Sequence, residues 1–280
     1  MGFISKENIS IPERKKSAKK GDSGRVLVIG GSKEYVGAVA LAGLAALRSG
    51  CDWVTIAAPE KVAWAINSLS ADLVTIKLKG GYINNSHYKI LKKLIEKHDV
   101  ILIGNGIGTR KETKASIKKI VKNEKLKVID ADAIKVLSLG EISNAIITPH
   151  RKEFEAFLKN SKFNEKETGK IIKGEKNSMK KIQKILKNNI IIKKGRIDEI
   201  ISKSKILYNK TGNPGMAKAG TGDVLAGLAA GFLAQNHDLE QSAINAAYFN
   251  GLAGDILMKR KKGYTYLASD IVEEITRLSH

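Results

Sequence analysis

The stretch RVLVIGGSKEYVGAVALAGLAALRSGCDWVTIA, residues 25–57, decides the fold. Its first five residues form an apolar, β-branched run of the length expected for a strand buried on both faces. Gly30, Gly31 and Gly37 bracket a loop, residues 38–49 are Ala- and Leu-rich and predict a helix, and residues 53–57 return to a strand. Strand, glycine loop, helix and strand within so few residues make a βαβ unit, and the two strands it joins must run parallel.

Outward from this unit the same rhythm repeats. Residues 73–77, 100–103, 128–130, 145–148 and 190–193 read as strands, and residues 86–97, 111–122 and 178–187 as helices between them. Such alternation predicts an α/β fold with a mostly parallel central sheet and helices on both faces, a three-layer sandwich. Residues 197–202 and 205–209 predict a late antiparallel hairpin. From 221 onward the chain reads as helices only, over 221–235, 239–258 and 268–278. The charged, weakly patterned stretch 159–176 is expected to be a mobile excursion. The domain expectation is a basic leader over 1–19 and a single domain over 20–280.

The 280 residues carry 42% hydrophobic and 28% charged side chains, which excludes wholesale disorder and fibrous repeats. A single cysteine, Cys51, excludes an intramolecular disulfide framework and fits a reducing, cytoplasmic setting. The longest apolar runs, 37–47 and 224–234, fall short of the roughly 18–20 residues that cross a bilayer. Residues 1–20 lack the apolar core of a secretory signal. Lys and Arg total 49 against 28 Asp and Glu, a net charge of +21. That balance favours anionic partners, yet the lysines are scattered from Lys6 to Lys262, as on a solvated surface. Aromatics make up only 5%, thin for stacking on single-stranded bases.

In an open α/β sheet, ligands bind beyond the carboxyl ends of the strands. Here those ends carry GGSKEYVGA (30–38), GNGIG (104–108), DADA (130–133), TPH (148–150) with Glu153 close behind, and KG (194–195). Each alone is compatible with an ordinary βα turn; together they predict a long ligand lying across the sheet. The sharpest segment is NKTGNPGMAKAGTGDVLAG (209–227), in which Gly220, Thr221 and Gly222 lead into Asp223 at the head of a small-residue helix. Unsatisfied N–H groups at a helix N-terminus form an anion site. Asp223 is then either a helix cap or a general base beside a phosphate hole. No G-x-x-x-x-G-K-[ST] occurs, GNGIG lacks the third glycine of a dinucleotide fingerprint, and no G-x-S-x-G elbow is present. The five histidines show no metal-ligand spacing, so no direct metal motif is expected.

These segments, in this order from about Lys20 to the C-terminus, resemble the ADP- or ATP-dependent NAD(P)H-hydrate dehydratase family, whose fold is ribokinase-like. The match is carried by KGDSGRVLVIGGSKEYVGAVALAGLAALRSG, GNGIG, DADA, ITPHRKEF, KKG and NKTGNPGMAKAGTGDVLAGLAAGFLAQ. Nothing of the length of the epimerase domain often fused to these enzymes precedes Lys20, so the expectation is the dehydratase part alone. Two positions depart from the usual pattern: Asn105 stands where Pro is usual, and Ala219 where Gly is usual. The resemblance implies phosphorylation of the hydroxyl of hydrated NADH or NADPH by ADP or ATP with Mg²⁺, followed by loss of phosphate. It implies Asp223 as base and Gly220, Thr221 and Gly222 as the anion hole. Lys194, Gly195, Arg196, Ile197, Asp198, Asn209 and Gly222 would hold the nucleotide, which brings the Mg²⁺. Ala38, Gly106, Gly108, His150 and Asp223 would line the hydrated dinucleotide, with Asp130 and Asp132 near the reacting centre or the Mg²⁺. His150 alone could equally be a capped loop histidine. The implied partners are the hydrated dinucleotide, the nucleotide, a separate epimerase acting on the same metabolite and further copies of the chain, with no nucleic acid and no membrane. A small-molecule hydroxymethyl kinase of the same fold is the alternative.

Overall fold

The βαβ unit lies toward one side of a ten-stranded sheet in the computed structural model, which describes residues 2–261 and 263–278. Strand β2 (Arg25–Ile29) feeds helix α1 (Val36–Arg48) and then β3 (Trp53–Pro59), which pairs parallel with β2. After α2 (Glu60–Leu69), β4 (Val74–Leu78) adds beside β3. The chain then crosses to the other side of β2. Strands β5 (Val100–Ile103), β6 (Leu126–Ile129), β7 (Ala145–Ile147) and β8 (Ile190–Lys193) extend the sheet there, all parallel. Strands β9 (Asp198–Ile201) and β10 (Ile206–Asn209) follow on that side as the expected antiparallel pair. Growth of the sheet therefore reverses between β2 and β5, which opens a crevice at their carboxyl ends.

Alternation along each strand builds the two cores. Val26 and Val28 of β2 face one cluster, together with α1, α2 and the late helices α8 (Thr221–Asn236), α9 (Leu239–Arg260) and α10 (Ala268–Ile275). Leu27 and Ile29 face the other, covered by α3 (Tyr88–Lys97), α4 (Lys111–Ile120), α5 (Arg151–Asn160), α6 (Glu165–Ile172) and α7 (Lys176–Ile185). Helix α8 lies almost wholly buried against α1 and over β2, β5 and β6. A Cβ on Gly227 would stand 2.1 Å from the Ala42 carbonyl oxygen, so only glycine permits this approach. The contact fixes the N-terminus of α8 above the crevice.

Three elements differ from the sequence reading. The stretch 159–176 is no excursion: it ends α5 and contains α6, whose Asn164 and Glu167 cap each other and whose Ile171 is fully buried. With only Thr168 and Ile171 turned inward, α6 is too short to register a period against its charged face. Helix α2 was not foreseen either, although Val62, Ala63 and Ile66 form its buried stripe. Within residues 1–19, Gly2–Phe3 forms a short edge strand, β1, parallel to β10. The same segment buries Ile4, and Asn245 donates to the Ser10 carbonyl at 2.7 Å. Met1, Lys262, Ser279 and His280 lie outside the described residues.

Candidate active site

Every parallel strand from β2 to β8 ends at the same edge, and the segments after β5 to β8 meet at the head of α8. Gly220 turns into this helix with φ +94°, and no side chain caps it. The N–H groups of Thr221, Gly222 and Asp223 are therefore the open end of the helix dipole. The Thr221 hydroxyl donates to the Met216 and Lys218 carbonyls, so this residue offers a ligand only its backbone.

Asp223 does not cap its helix. Its Oδ1 accepts from Asn105 Nδ2 at 2.7 Å, and the same Nδ2 donates to Asp130 Oδ2 at 2.9 Å. Asp130 Oδ1 in turn accepts from the Thr148 hydroxyl at 2.6 Å and from Lys194 Nζ at 3.2 Å. Lys194 also lies 4.0 Å from Glu153. Four strand ends thus meet one helix start in a single polar chain. Burial, then the charge of nearby Asp130, pushes the Asp223 carboxyl up to about 6, against the pull of Asn105 and Lys194. For Lys194, burial alone would favour the neutral amine, but the carboxylates of Asp130 and Glu153 outweigh it and hold the amine charged.

A cleft of about 1260 Å³ opens beside this chain. It is lined by Lys194–Asp198, by the 210–218 loop, by Thr221 and Gly222, and by Asn250, Asp255 and Tyr264. A Cβ on Gly222 would stand 3.2 Å from Lys194 Nζ, so the glycine keeps amine and helix end together. Asp198 accepts from Gly195 N at 3.0 Å and from Asn209 Nδ2 at 3.3 Å, and burial pushes its carboxyl up to about 6. Asn209 is fully buried behind Asp198, so it shapes this wall without lining it. Lys218 donates to the Tyr264 and Tyr266 carbonyls and ties the 264–266 segment across the cleft.

A second cleft, of about 1020 Å³, lies on the other side of the GNGIG turn. Gly108, Tyr35, Tyr82 and Arg110 line it, with Lys33 and Lys61. Gly106 turns with φ +60°, and a Cβ there would meet Tyr35 and stand 3.4 Å from Ala38. Asp132 accepts from Gly108 N at 3.0 Å and pairs with Lys135 at 2.8 Å, which makes it a brace for the turn rather than a cleft residue. His150 caps α5, its Nδ1 accepting from Lys152 N and Glu153 N at 3.1 and 3.3 Å. Its exposed side lines the first cleft, beside Lys194 and Gly195, not the second.

Sequence reasoning missed four contributors. Thr148 and Glu153 stood in the quoted TPH segment and its continuation without a role. Asn105 was visible only as a departure from the usual proline. Asp255 accepts from Gly212 N at 2.9 Å and Asn213 Nδ2 at 3.0 Å and so holds the cleft loop; its signal was a lone acid among small residues of α9.

The family model described as NAD(P)H-hydrate dehydratase matches residues 26–277, nearly the whole chain. The chain belongs to this family. Among its relatives, the bifunctional NAD(P)H-hydrate repair enzyme Nnr of Methanothermobacter thermautotrophicus is 40% identical over 276 residues, covering 95% of this chain and 52% of that protein. The ADP-dependent (S)-NAD(P)H-hydrate dehydratase of Cenarchaeum symbiosum is 35% identical, covering 94% and 91%. A solved ADP/ATP-dependent NAD(P)H-hydrate dehydratase from Bacillus subtilis, co-crystallised with ATP and Mg²⁺, superposes with a TM-score of 0.84 at 25% identity, over 99% and 97% of the two chains. The chain spans about half the length of the bifunctional relatives it matches. The dehydratase fold is ribokinase-like, a mostly parallel sandwich with a late antiparallel pair. Among the described residues, no helix is long and apolar enough to cross a membrane.

Proposed function

We propose that this chain dehydrates hydrated NADH or NADPH using ADP or ATP, as a metabolite-repair lyase of the cytoplasm. The observation that carries the reading is Asp223 itself. It stands at an open helix N-terminus, is not spent on capping, and is held by an amide that leaves its second oxygen free of hydrogen bonds among the described residues. A carboxyl near 6 is mostly ionised at neutral pH yet basic enough to take a hydroxyl proton.

The nucleotide would lie in the 1260 Å³ cleft against Lys194–Asp198 and Gly222, with Asn209 acting through Asp198 and His150 at the rim. Its terminal phosphate would reach the N–H groups of Gly220, Thr221 and Gly222 and the Lys194 amine. The hydrated dinucleotide would run along the GNGIG turn past Ala38, Gly106 and Gly108, from Asp223 into the second cleft, while Asp132 braces that path. Asp223 takes the proton of the ring hydroxyl as the oxygen attacks the terminal phosphorus, and AMP or ADP departs. The carbon–oxygen bond then breaks with phosphate as leaving group, a proton leaves the adjacent ring carbon, and the dihydropyridine returns. Protein catalysis here is chiefly positioning and stabilisation of phosphoryl charge. The Mg²⁺ would be carried on the nucleotide phosphates. That ion would supply charge neutralisation; no side chain is assigned to it. A separate epimerase and self-association complete the expected setting.

The test is incubation of hydrated NADPH with the protein, Mg²⁺ and either ADP or ATP, following the near-ultraviolet absorbance of the reduced nicotinamide. Its return, dependent on nucleotide, is expected. No return, with phosphorylation of a small hydroxymethyl heterocycle instead, would favour the kinase of the same fold.

A further inference from the structure

Asn105 lies fully buried between two carboxylates, and among the described residues its amide is the one side-chain group hydrogen-bonded to both. Each hydrogen of Nδ2 goes to a different acid, one at the end of β6 and one at the head of α8. This fixes the amide orientation: turned over, its oxygen would face two acceptors. The consequence is that Asn105 Oδ1 is buried with no hydrogen-bond partner. A lone interior acceptor costs stability that an apolar residue at the same place would not. The backbone does not require asparagine, since the Asn105 carbonyl, which accepts from Gly31 N at 2.9 Å, is common to any residue. Nor is Asn105 among the residues with positive φ, although Gly104 and Gly106 on either side are.

We infer that Asn105 is a positioning residue: it clamps the Asp223 and Asp130 carboxylates at a fixed spacing and turns the free Asp223 oxygen toward the reacting hydroxyl. The inference rests on the reading of Asp223 as the base. Two like charges so close repel, and without a donor shared between them one carboxyl would swing away or take up a proton. The charged groups facing Asp223 are Asp130 from β6, Glu153 from α5 and Lys194 from β8; Asn105 is the neutral donor among them. Of these, Lys194 bonds Asp130 but not Asp223, so Asn105 supplies the only side-chain hydrogen bond Asp223 receives among the described residues. A proline at this position has no donor to offer, so an enzyme with that residue must restrain its base by other means.

Asn105→Ala and Asn105→Pro separate positioning from mere packing. The expected result is a kcat lowered about 10- to 100-fold with KM for ADP within about two-fold, as when a supporting partner of a reacting group is removed. The acid limb of the pH profile should move to higher pH by about one unit, because the lost hydrogen bond favoured the ionised carboxyl. Asn105→Asp, which adds a third acid, should move it further. Carbon-detected NMR titration of the Asp223 carboxyl in wild type and Asn105→Ala reads the same shift without turnover, and thermal melts confirm folding. Should Asn105→Ala fail to fold, Asn105→Ser takes its place in both measurements. An unchanged Asp223 titration, or a wild-type kcat and acid limb in the alanine variant, overturns the inference. Absence of dehydration by the wild-type protein would overturn only the functional reading, and the NMR titration would still decide the clamp.

Discussion

Two lysines at opposite edges of one sheet, one buried and one half-buried, show what distinguishes the active edge from the structural one. Lys127 on β6 is fully buried near the amino end, where its Nζ donates to the Asn123 and Ser143 carbonyls at 2.8 and 2.9 Å. Burial pushes its amine down to about 8, and neither the carbonyls nor the charge of Glu124 offsets it. Lys194, at the carboxyl end of β8, sits among Asp130, Glu153 and Asp223 and is held charged. The first lysine only closes a gap between loops. The second pairs with acids brought from separate segments, so its edge gathers opposite charges in a mutually dependent set.

The largest expected effect comes from removing the base. Asp223→Asn should lower turnover by ~10²–10⁴-fold while ADP binding, measured by calorimetry, is largely kept. Stability should move the other way. A carboxyl raised from its ordinary value to about 6 costs the fold roughly 3 kcal/mol above that pH, and nothing below the unfolded carboxyl range. Asp223→Asn should therefore melt higher than wild type at alkaline pH and equally in acid.

Next in size is Lys194→Met, which strands buried Asp130 without its cation. Chemical denaturation should show a loss of roughly 3–5 kcal/mol. Lys127→Met sharpens the contrast, because Lys127 titrates downward and its penalty is present below about 8 and vanishes once pH exceeds the unfolded lysine value. The variant should equal or exceed wild-type stability at neutral pH and lose that advantage in strong alkali. Equal destabilisation by the two substitutions would erase the distinction between the edges. The smallest effect is that of Gly222→Ala. Its added Cβ would crowd Lys194 Nζ at 3.2 Å and should weaken ADP about ten-fold with little change in melting temperature.

Much of this was legible in the sequence, for identifiable reasons. Strand β2 reads correctly because Val, Leu and Ile fill both faces, and a strand buried on both sides needs no period. The parallel order follows from the long βαβ crossovers, and the Gly220–Asp223 segment marks its own anion site. What escaped depends on contacts between distant segments. Asn105 and Asp223 are 118 positions apart, and only the close approach of α8 to α1 brings them together. His150 reads from the sequence as a loop histidine or a ligand contact; that it caps α5 while it borders the first cleft is visible only in the structure. Helix α6 escaped for a local reason, as two inward residues in eight give no periodic signal.

The central claim is that the raised carboxyl of Asp223 is the base for phosphoryl transfer. The most direct measurement is kcat/KM for hydrated NADPH as a function of pH, in wild type and Asp223→Asn. Wild type should lose activity as the pH falls through about 6, where Asp223 takes up its proton, and the residual activity of Asp223→Asn should show no such limb. A wild-type profile that stays flat through that range, or an acid limb that survives in Asp223→Asn, would contradict the assignment.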